Sequence, residues 1–364
     1  MGFKCGLVGL PNVGKSTIFN AVTDAGAEAA NYPFCTIEPN TGMVNVPDYR
    51  LQALAVVHKP QRVLPTVMQF VDIAGLVKGA SKGEGLGNAF LTHIREVDAI
   101  MHVVRCFEDG DIVHVDGSID PVRDAEVIET ELILKDLETI ENAKGKLEKM
   151  AKRKDQDAAL KISAFAKVLP LLEDGKLAKG ANLTEDEELA LKAMSLLTMK
   201  PLFYCANLAE DDVIDGNEHC TALEEYARTH GSDVVRVSGK IEEELSSMEP
   251  EDRKEFLDDL GWDQSGLDRI IKKGYEMLGL ETYFTAGEKE VRAWTYPKGS
   301  KAPQCAGVIH TDFEKGFIRA ETLAFADFEK HGSWPAAKEK GAVRTEGKEY
   351  DVVDGDIMHF LFNV

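Results

Sequence analysis

A nine-residue stretch near the start of the chain has the residue types and spacing of a phosphate-binding loop. It consists of Gly9-Leu10-Pro11-Asn12-Val13-Gly14-Lys15-Ser16-Thr17, which fits the pattern G-x-x-x-x-G-K-[ST]. Gly9 and Gly14 permit backbone angles that are closed to other residues, so consecutive N–H groups can turn towards an anion. We expect Lys15 to reach the β- and γ-phosphates of a nucleotide and the Ser16 hydroxyl to bind Mg²⁺.

The flanks of this loop favour the same interpretation. Residues 3–8 are typical of a short buried strand, and residues 17–22 can begin a helix. A helix that starts directly after the loop adds the positive end of its dipole to an anion site. A chance glycine-rich turn is the alternative, but the strand and the helix argue against it.

Three further residues are expected to complete the site. Asp72 ends an apolar run at 66–72 and can support Mg²⁺ through a water molecule. Gly75 completes a D-x-x-G turn and can donate its N–H to the γ-phosphate. Thr36, in the segment between the phosphate loop and this run, is the expected additional Mg²⁺ ligand. Alone, the D-x-x-G turn or the threonine is weak evidence of a nucleotide site, whereas both in this order after a phosphate loop are specific evidence.

Base recognition is assigned to Asn207-Leu208-Ala209-Glu210, which follows an apolar run at 201–206. GTPases have Asn-Lys-x-Asp here, and the aspartate accepts hydrogen bonds from N1–H and the 2-amino group of guanine. Asn207 can still contact N7, which adenine and guanine share. Leu208 cannot replace the lysine, and Glu210 places its carboxylate one methylene further out. These residues favour ATP, unless 207–210 is merely a loop.

Short apolar runs alternate with helical stretches, as in a parallel sheet covered by helices. The runs lie at 3–8, 66–72, 99–104, 201–206 and 233–237. A helical interruption at 120–200 begins at Asp120-Pro121, an N-cap followed by a proline, and Thr184 and Glu187 form a capping box for its third helix. Apolar residues recur at spacings of three and four, which predicts a coiled-coil-like hairpin. Its seam residues are Ile133, Leu137, Ile140, Leu147, Ile162, Phe165, Leu169 and Leu172.

The turn of this hairpin is basic. We call residues 144–154 the basic tip; its cations are Lys144, Lys146, Lys149, Lys152, Arg153 and Lys154. A solvated charged face and an RNA contact are both open interpretations.

Residues 280–364 have more turns, and short mixed strands are expected at 290–295, 306–309 and 356–362.

Composition limits the functional class. The 364 residues predict two or three domains, and the net charge of −21 excludes a globally basic nucleic-acid binder, so any RNA contact must use local patches. Residues 201–279 hold eight basic and twenty acidic side chains. The six cysteines lie far apart without a C-x-x-C pair, which argues against a zinc site or disulfide framework. No apolar run spans a membrane and no room remains for a secretory signal, so we expect a cytoplasmic protein.

The segment after Asp72 gives the clearest family resemblance. It contains glycines at positions 75, 79, 83, 85 and 87. With the phosphate loop and the D-x-x-G turn, it resembles the Obg-related GTPases, and within them the Obg-like ATPase (YchF) subfamily. Residues 310–320 resemble the TGS module of that subfamily, a ubiquitin-like β-grasp. The resemblance covers nearly the whole chain.

The resemblance implies a Mg²⁺-dependent ATPase that associates with the ribosome, with Lys15 in the catalytic site. Leu76 stands where Ras-type enzymes place the glutamine that orients the attacking water, and leucine cannot do so. The subfamily points to His114 instead, since a neutral histidine can accept from water; a loop histidine with a structural hydrogen bond is the alternative. Asn12 occurs in loops that bind K⁺ beside the phosphates, or it only shapes the loop.

We therefore expect an α/β fold with three parts. Residues 1–119 and 201–279 form a discontinuous P-loop G domain with a parallel-rich sheet, residues 120–200 a helical insertion, and residues 280–364 a β-grasp TGS domain. The expected activity is hydrolysis of the β–γ bond of ATP, with GTP accepted poorly. Two alternatives remain: a GTP-preferring Obg-type translation GTPase, and a non-hydrolytic binding module whose geometry on the ribosome is set by nucleotide. The sequence leaves the oligomeric state open.

Overall fold

The structure is a computed structural model that describes residues 3–25, 40–73, 86–115 and 117–363. It divides into two compact units, Met1–Val44 with Gln69–Ile270 and Asn45–Met68 with Ile271–Val364. Residues 45–68, which the sequence analysis assigned to the nucleotide-binding domain, thus lie in the second unit. The predicted three-part division itself stays a prediction.

Twelve strands and fourteen α-helices lie in the described residues. The strands are β1 (Lys4–Val8), β2 (Thr41–Asn45), β3 (Arg62–Leu64), β4 (Val67–Asp72), β5 (Ala99–Arg105), β6 (Leu202–Asn207), β7 (Val234–Val237), β8 (Leu280–Ala286), β9 (Glu290–Pro297), β10 (Phe317–Leu323), β11 (Arg344–Glu346) and β12 (Ile357–Phe362). The helices are α1 (Lys15–Ala25), α2 (Tyr49–His58), α3 (Leu86–Glu96), α4 (Pro121–Lys152), α5 (Gln156–Glu173), α6 (Glu185–Lys192), α7 (Glu218–Thr229), α8 (Gly239–Ser247), α9 (Pro250–Asp259), α10 (Gly266–Met277), α11 (Ala302–Ile309), α12 (Thr311–Lys315), α13 (Phe325–His331) and α14 (Trp334–Glu339).

The first unit is built on a six-stranded sheet in the order β2-β4-β1-β5-β6-β7. The neighbours from β4 to β7 pair in parallel, for example Cys5 with Ala99 and Cys205 with Val235. All five predicted apolar runs are strands of this sheet. Every residue of β5 and β6 is buried, as expected for strands covered on both faces. Because parallel strands end at the same edge, the loops after β1, β4, β5, β6 and β7 meet there.

The predicted helical interruption is confirmed. α4 starts at the Asp120 N-cap, whose carboxylate accepts from the backbone N–H of Arg123 at 3.1 Å, with proline in the first turn. α4 and α5 form a hairpin around a buried cluster that includes Ile133, Ile140 and Phe165. The capping box of α6 is present, with Thr184 and Glu187 bonded reciprocally at 2.8 and 3.3 Å. The six cations of the basic tip are exposed.

The second unit has a mixed six-stranded sheet in the order β11-β10-β12-β8-β9-β3. β12 and β8 are adjacent and parallel, whereas β8 pairs antiparallel with β9. The strands predicted at 290–295 and 356–362 are confirmed. The β-grasp assignment of this unit stays a prediction.

The strand predicted at 306–309 is wrong, because these residues form the end of helix α11. A four-residue apolar run fits either a strand or a buried helix segment. Here Pro303 lies in the first turn of the helix, which favours helix initiation. Ala302, Cys305 and Ala306, at helical spacing, face the core.

Two further findings concern the described residues. The five cysteines among them are buried and free, and Cys35 lies outside the described residues. Across the same part of the chain, no helix combines the length and the apolar character needed to cross a bilayer.

Candidate functional site

A cavity of about 860 Å³ lies at the carboxyl edge of the first sheet. Its walls come from the phosphate loop after β1 and from the loops after β5, β6 and β7. The lining includes Asn12, Lys15, Ser16, Phe107, Ile112, Asn207, Glu210 and Lys240. Residues far apart in sequence are therefore brought to one cavity by the parallel strand order.

The predicted special backbone angle is present at Gly14 but not at Gly9, where a β-carbon would instead lie 2.7 Å from the carbonyl oxygen of Val103. Asn12 and Gly14 have positive φ angles of 62° and 86°. A β-carbon at Gly14 would collide with the side-chain nitrogen of Asn207, so only glycine fits there. The Val13 side chain is buried, and Ser16 and Thr17 lie in the first turn of α1 beside the cavity. The N-terminal N–H groups of α1 thus lie at the cavity, where an anion can bind.

Lys15 and Asp72 contact each other at the end of β4. The Lys15 ammonium forms an ion pair with the Asp72 carboxylate and donates to the carbonyl of Ile73 at 2.8 Å. The Ser16 hydroxyl and the Asp72 carboxylate are hard oxygen donors, which suit Mg²⁺. Within the described ranges, no group of three or more His, Cys, Asp or Glu side chains has an arrangement that could hold a metal ion. A Mg²⁺ held mainly by phosphates and water needs no such cluster, so this donor set fits.

Three predicted residues lie outside the described residues. These are Thr36, Gly75 and Leu76. The predictions that depend on them stay predictions.

Asn207 joins three parts of the cavity through its amide group. Its Nδ2 donates to the carbonyl of Val13 at 2.9 Å, and its Oδ1 accepts from the backbone N–H of Gly239 at 2.9 Å. Leu208 is buried and its N–H donates to the carbonyl of Val237 at 2.8 Å. The side chain predicted to contact N7 therefore also locks the phosphate loop to the ends of β6 and β7.

Sequence reasoning missed the turn Ser238-Gly239-Lys240, which follows β7 and begins α8. Lys240 donates to the Glu210 carboxylate at 3.0 Å, and this hydrogen bond raises the pKa of Lys240. The buried hydroxyl of Ser238 has no hydrogen-bond partner among the described residues. The signal was present, because a Ser-Gly-Lys turn follows the apolar run at 233–237 and must share the edge with the phosphate loop.

His114 lies outside the lining of the cavity. Its Nε2 is 2.8 Å from Oδ2 of Asp124 in the first turn of α4, and the two side chains are only 4% and 2% exposed. The preceding residue, Val113, accepts a hydrogen bond from Nδ2 of Asn12 at 3.1 Å. The backbone of this loop thus contacts the phosphate loop, while the imidazole faces the first turn of α4. We call the α4–α5 hairpin the helical arm.

Arg105 holds the first part of the same loop. Its guanidinium donates to the carbonyls of Phe107, Asp109 and Ile112 at 3.0, 3.2 and 3.0 Å. We call residues 106–115 the coupling loop. Its conformation is fixed from inside by a buried cation, and it contacts both the cavity and α4.

Comparison with known proteins gives full-length matches. The chain is 55% identical to the "Ribosome-binding ATPase YchF" of Bacillus subtilis and 56% identical to that of Escherichia coli O157:H7, each over 100% of both chains. A solved "Structure of the Schizosaccharomyces pombe YchF GTPase" matches with a TM-score of 0.88 and 40% identity over 99% of this chain and 98% of that one. A family model described as "50S ribosome-binding GTPase" matches residues 4–144. The C-terminal model of YchF proteins, described as a "Protein of unknown function", matches residues 280–363.

Proposed function

The chain belongs to the YchF family, and we propose that it is a ribosome-associated ATPase that prefers ATP to GTP. The observation that carries this proposal is the cavity in which the phosphate loop meets the base-side turns at 207–210 and 238–240. Relatives matched over their whole length are named ribosome-binding ATPases, which supports the same function.

The phosphate side supports hydrolysis of the β–γ bond. The backbone of Asn12–Thr17 and the Lys15 ammonium would hold the phosphates. Water attacks the γ-phosphorus, the bond to the β–γ bridging oxygen breaks, and ADP, inorganic phosphate and one proton are released. Ser16, Thr36 and, through water, Asp72 would hold Mg²⁺, which supplies charge neutralisation at the phosphates. Lys15 must leave Asp72 to contact the γ-phosphate, and this exchange frees the carboxylate for the metal shell.

The base side supports the preference for ATP. The Glu210 carboxylate is paired with Lys240 rather than positioned alone as a guanine acceptor. Asn207 uses one N–H of its amide on Val13 and retains a second N–H for N7 of the base. Adenine has no donor at N1 or at position 2, so the lack of a carboxylate acceptor in this pocket does not weaken its binding.

Water activation is assigned to His114. A neutral imidazole accepts the proton of the attacking water when it reaches the γ-phosphate. The contact between Asn12 and Val113 supports this role, because it places the backbone next to His114 at the phosphate loop. The same contact accounts for Asn12 as a residue that shapes the loop, and a K⁺ beside the phosphates stays a prediction.

The ribosome contact is assigned to the basic tip, with the second unit as a further surface. The tip places six exposed cations at the end of a long hairpin in a chain of net charge −21. Local positive charge is the feature that binds RNA phosphates in an otherwise acidic protein. A protein that acts on ribosomes is expected in the cytoplasm.

Turnover separates this proposal from a binding module. We expect the wild-type protein to hydrolyse ATP in the presence of Mg²⁺ and Lys15→Ala to do so at least about a hundredfold more slowly, since removal of a phosphate-stabilising group costs on the order of 10²–10³ in rate. Equal rates for the two proteins, with ATP bound by the wild type, would reduce the chain to a nucleotide-gated binding module.

A further inference from the structure

We propose that Asp124 is a positioning residue that holds His114 away from the nucleotide, and that separation of the two residues switches hydrolysis on. The proposal rests on the proposed function, because it concerns the regulation of the histidine assigned to the water. It is argued from three contacts of the coupling loop and the first turn of α4.

The first contact fixes where the imidazole starts. His114 lies in the coupling loop with its Nε2 bonded to Asp124 at 2.8 Å, and neither side chain is open to solvent. The lining of the nucleotide cavity includes Ile112 of the same loop but not His114. An imidazole in this position does not reach water at a γ-phosphate, because the ring lies outside the lining of the cavity, with Nε2 directed at a carboxylate of α4.

The second contact joins the coupling loop to the phosphate loop. Asn12 of the phosphate loop donates to the carbonyl of Val113 at 3.1 Å. The residue next to His114 therefore already touches the loop that binds the phosphates. The proposal therefore requires a change in the direction of the His114 side chain, with a local shift of residues 113–115.

The third contact fixes the carboxylate. Arg123 donates to Oδ1 of Asp124 at 3.0 Å and to the carbonyl of Ser118 at 2.7 Å. Oδ2 faces His114 while Oδ1 is held by the guanidinium, so both oxygens of Asp124 are engaged. Arg123 thus orients the same carboxylate that binds His114, which strengthens the restraint on the ring.

The position of Asp124 connects this restraint to the helical arm. α4 contains Asp124 in its first turn and runs for 32 residues to the basic tip. A helix of that length spans about 48 Å. A partner that binds the arm, or one that shifts the coupling loop, can separate His114 from Asp124 without entering the nucleotide cavity. The slow state and the active state then differ in whether the buried hydrogen bond between His114 and Asp124 is formed.

Steady-state ATP hydrolysis by the free full-length chain tests the proposal. We expect Asp124→Ala to raise kcat about fivefold or more, with ATP affinity unchanged, because a buried hydrogen bond to a charged group no longer opposes release of the ring. Arg123→Ala, which leaves the carboxylate but removes its support, should raise kcat by about twofold. Glu126→Ala removes one exposed charge from the same turn of α4 and should leave kcat unchanged.

The His114→Ala background separates the two proposals. Asp124→Ala combined with His114→Ala should be as slow as His114→Ala alone, because the gain requires the imidazole. If His114→Ala turns over like the wild type, the water role itself fails. If His114→Ala is slow but both Asp124→Ala and Arg123→Ala fold and show no increase in kcat, the restraint is overturned and Asp124 is structural. Should Asp124→Ala fail to fold, Arg123→Ala decides alone, since its side chain is one-third exposed.

Discussion

Single residues of the cavity have structural as well as chemical roles. The amide of Asn207 bonds the phosphate loop on one side and the start of α8 on the other. Loss of this side chain would remove the hydrogen bonds to the buried carbonyl of Val13 and to the N–H of Gly239. A variant of Asn207 would therefore change the conformation of the phosphate loop as well as the contact with the base, and its nucleotide affinity would report both effects. Glu210 and His114 give cleaner tests, because their contacts with Lys240 and Asp124 lie outside the phosphate loop.

Selectivity for the base is tested at Glu210. We expect Glu210→Asp to increase GTP affinity several-fold with little change for ATP, since a carboxylate one methylene shorter regains the position that accepts from guanine. Nucleotide binding by calorimetry with Mg²⁺ measures both affinities. Asp211→Asn, an exposed neighbour in the same turn, is the control. Full retention of ATP selectivity in Glu210→Asp would contradict the account of the base pocket. Adding Leu208→Lys is less informative, because Leu208 is buried.

The water-positioning role is tested at His114. We expect His114→Ala to lower turnover about ten- to a hundredfold, as loss of a general base does, with ATP affinity unchanged. Single-turnover hydrolysis isolates the chemical step, and ribosomes should stimulate the wild type but not the variant. If His114→Ala turned over within about twofold of wild type, both alone and with ribosomes, the attacking water would have to be positioned by backbone groups and the metal instead. Asn12 would then be the next residue to test.

At the scale of secondary structure, the sequence was most informative where burial is periodic or complete. β5 and β6 are continuous apolar runs because both faces are covered, and the α4–α5 hairpin follows a regular seam. The run 306–309 was misassigned because its helix starts at Ala302, before the run, with Pro303 in the first turn. The turn Ser238-Gly239-Lys240 was not predicted as part of the site because a polar turn has no hydrophobic periodicity. The turn belongs to the site because the strand order places it beside Asn207.

The pairing of His114 with Asp124 could not be predicted either. The two residues are ten positions apart, and the sequence analysis gave His114 either a role at the attacking water or a structural hydrogen bond, without a partner for that bond. The assignment of residues 45–68 to the second unit has a similar origin. β3 joins the sheet of that unit through a parallel pairing with β9, more than 220 positions later in the chain. Long-range pairings of this kind leave no local pattern.

The basic tip gives the prediction for the arm. Reversing Lys149, Lys152, Arg153 and Lys154 to Glu should weaken ribosome binding about tenfold or more. The salt dependence of binding should also fall: the slope of the logarithm of the binding constant against the logarithm of the salt concentration should decrease by about one for each RNA phosphate that the tip no longer neutralises. Sedimentation with ribosomes at several salt concentrations measures both effects. Hydrolysis by the free protein should not change. A control with the same charge change reverses dispersed exposed cations, Lys192, Arg228, Lys254 and Lys272. Equal sedimentation of the two variants would make the tip a solvated charged face.

The junction of α8 and α10 gives a prediction of pH dependence. Glu242 is 1% exposed and accepts from the N–H groups of Gly266 and Leu267 at 2.7 and 3.3 Å. Burial raises its pKa from 4.5 to about 7. Because the folded chain binds this proton more tightly than the unfolded chain, Glu242 should make the free energy of unfolding increase as pH falls from about 7 to about 4.5, by up to about 3 kcal/mol.

Glu242→Gln measures that contribution. We expect the stability of the wild type relative to Glu242→Gln to increase when urea unfolding is compared at about pH 8 and about pH 5, since only the wild type gains the proton. Glu244→Gln, exposed on the same helix, should show no such change relative to wild type. If the free energies of unfolding of wild type and Glu242→Gln changed with pH in parallel, the pKa of the Glu242 carboxyl would be the same in the folded and the unfolded chain, which would contradict the prediction.

At the scale of the molecule, the first unit contains the nucleotide cavity, the coupling loop and the arm. The basic tip and the cavity are joined through α4 and the coupling loop, so binding at one can bias the other. Such coupling is reciprocal for affinities, and nucleotide should therefore change the affinity for ribosomes by the factor by which ribosomes change the affinity for nucleotide. The second unit adds a separate surface to the chain.

The central claim, an ATP-preferring hydrolase, is tested most directly by competition of ATP and GTP for the free wild-type protein with Mg²⁺ and K⁺ present. Displacement of a fluorescent ATP analogue by each nucleotide gives both dissociation constants in one experiment. We predict that ATP binds at least about tenfold more tightly than GTP, or roughly 1.4 kcal/mol. Equal affinities, or tighter binding of GTP, would contradict the preference for ATP and favour the alternative of an Obg-type GTPase.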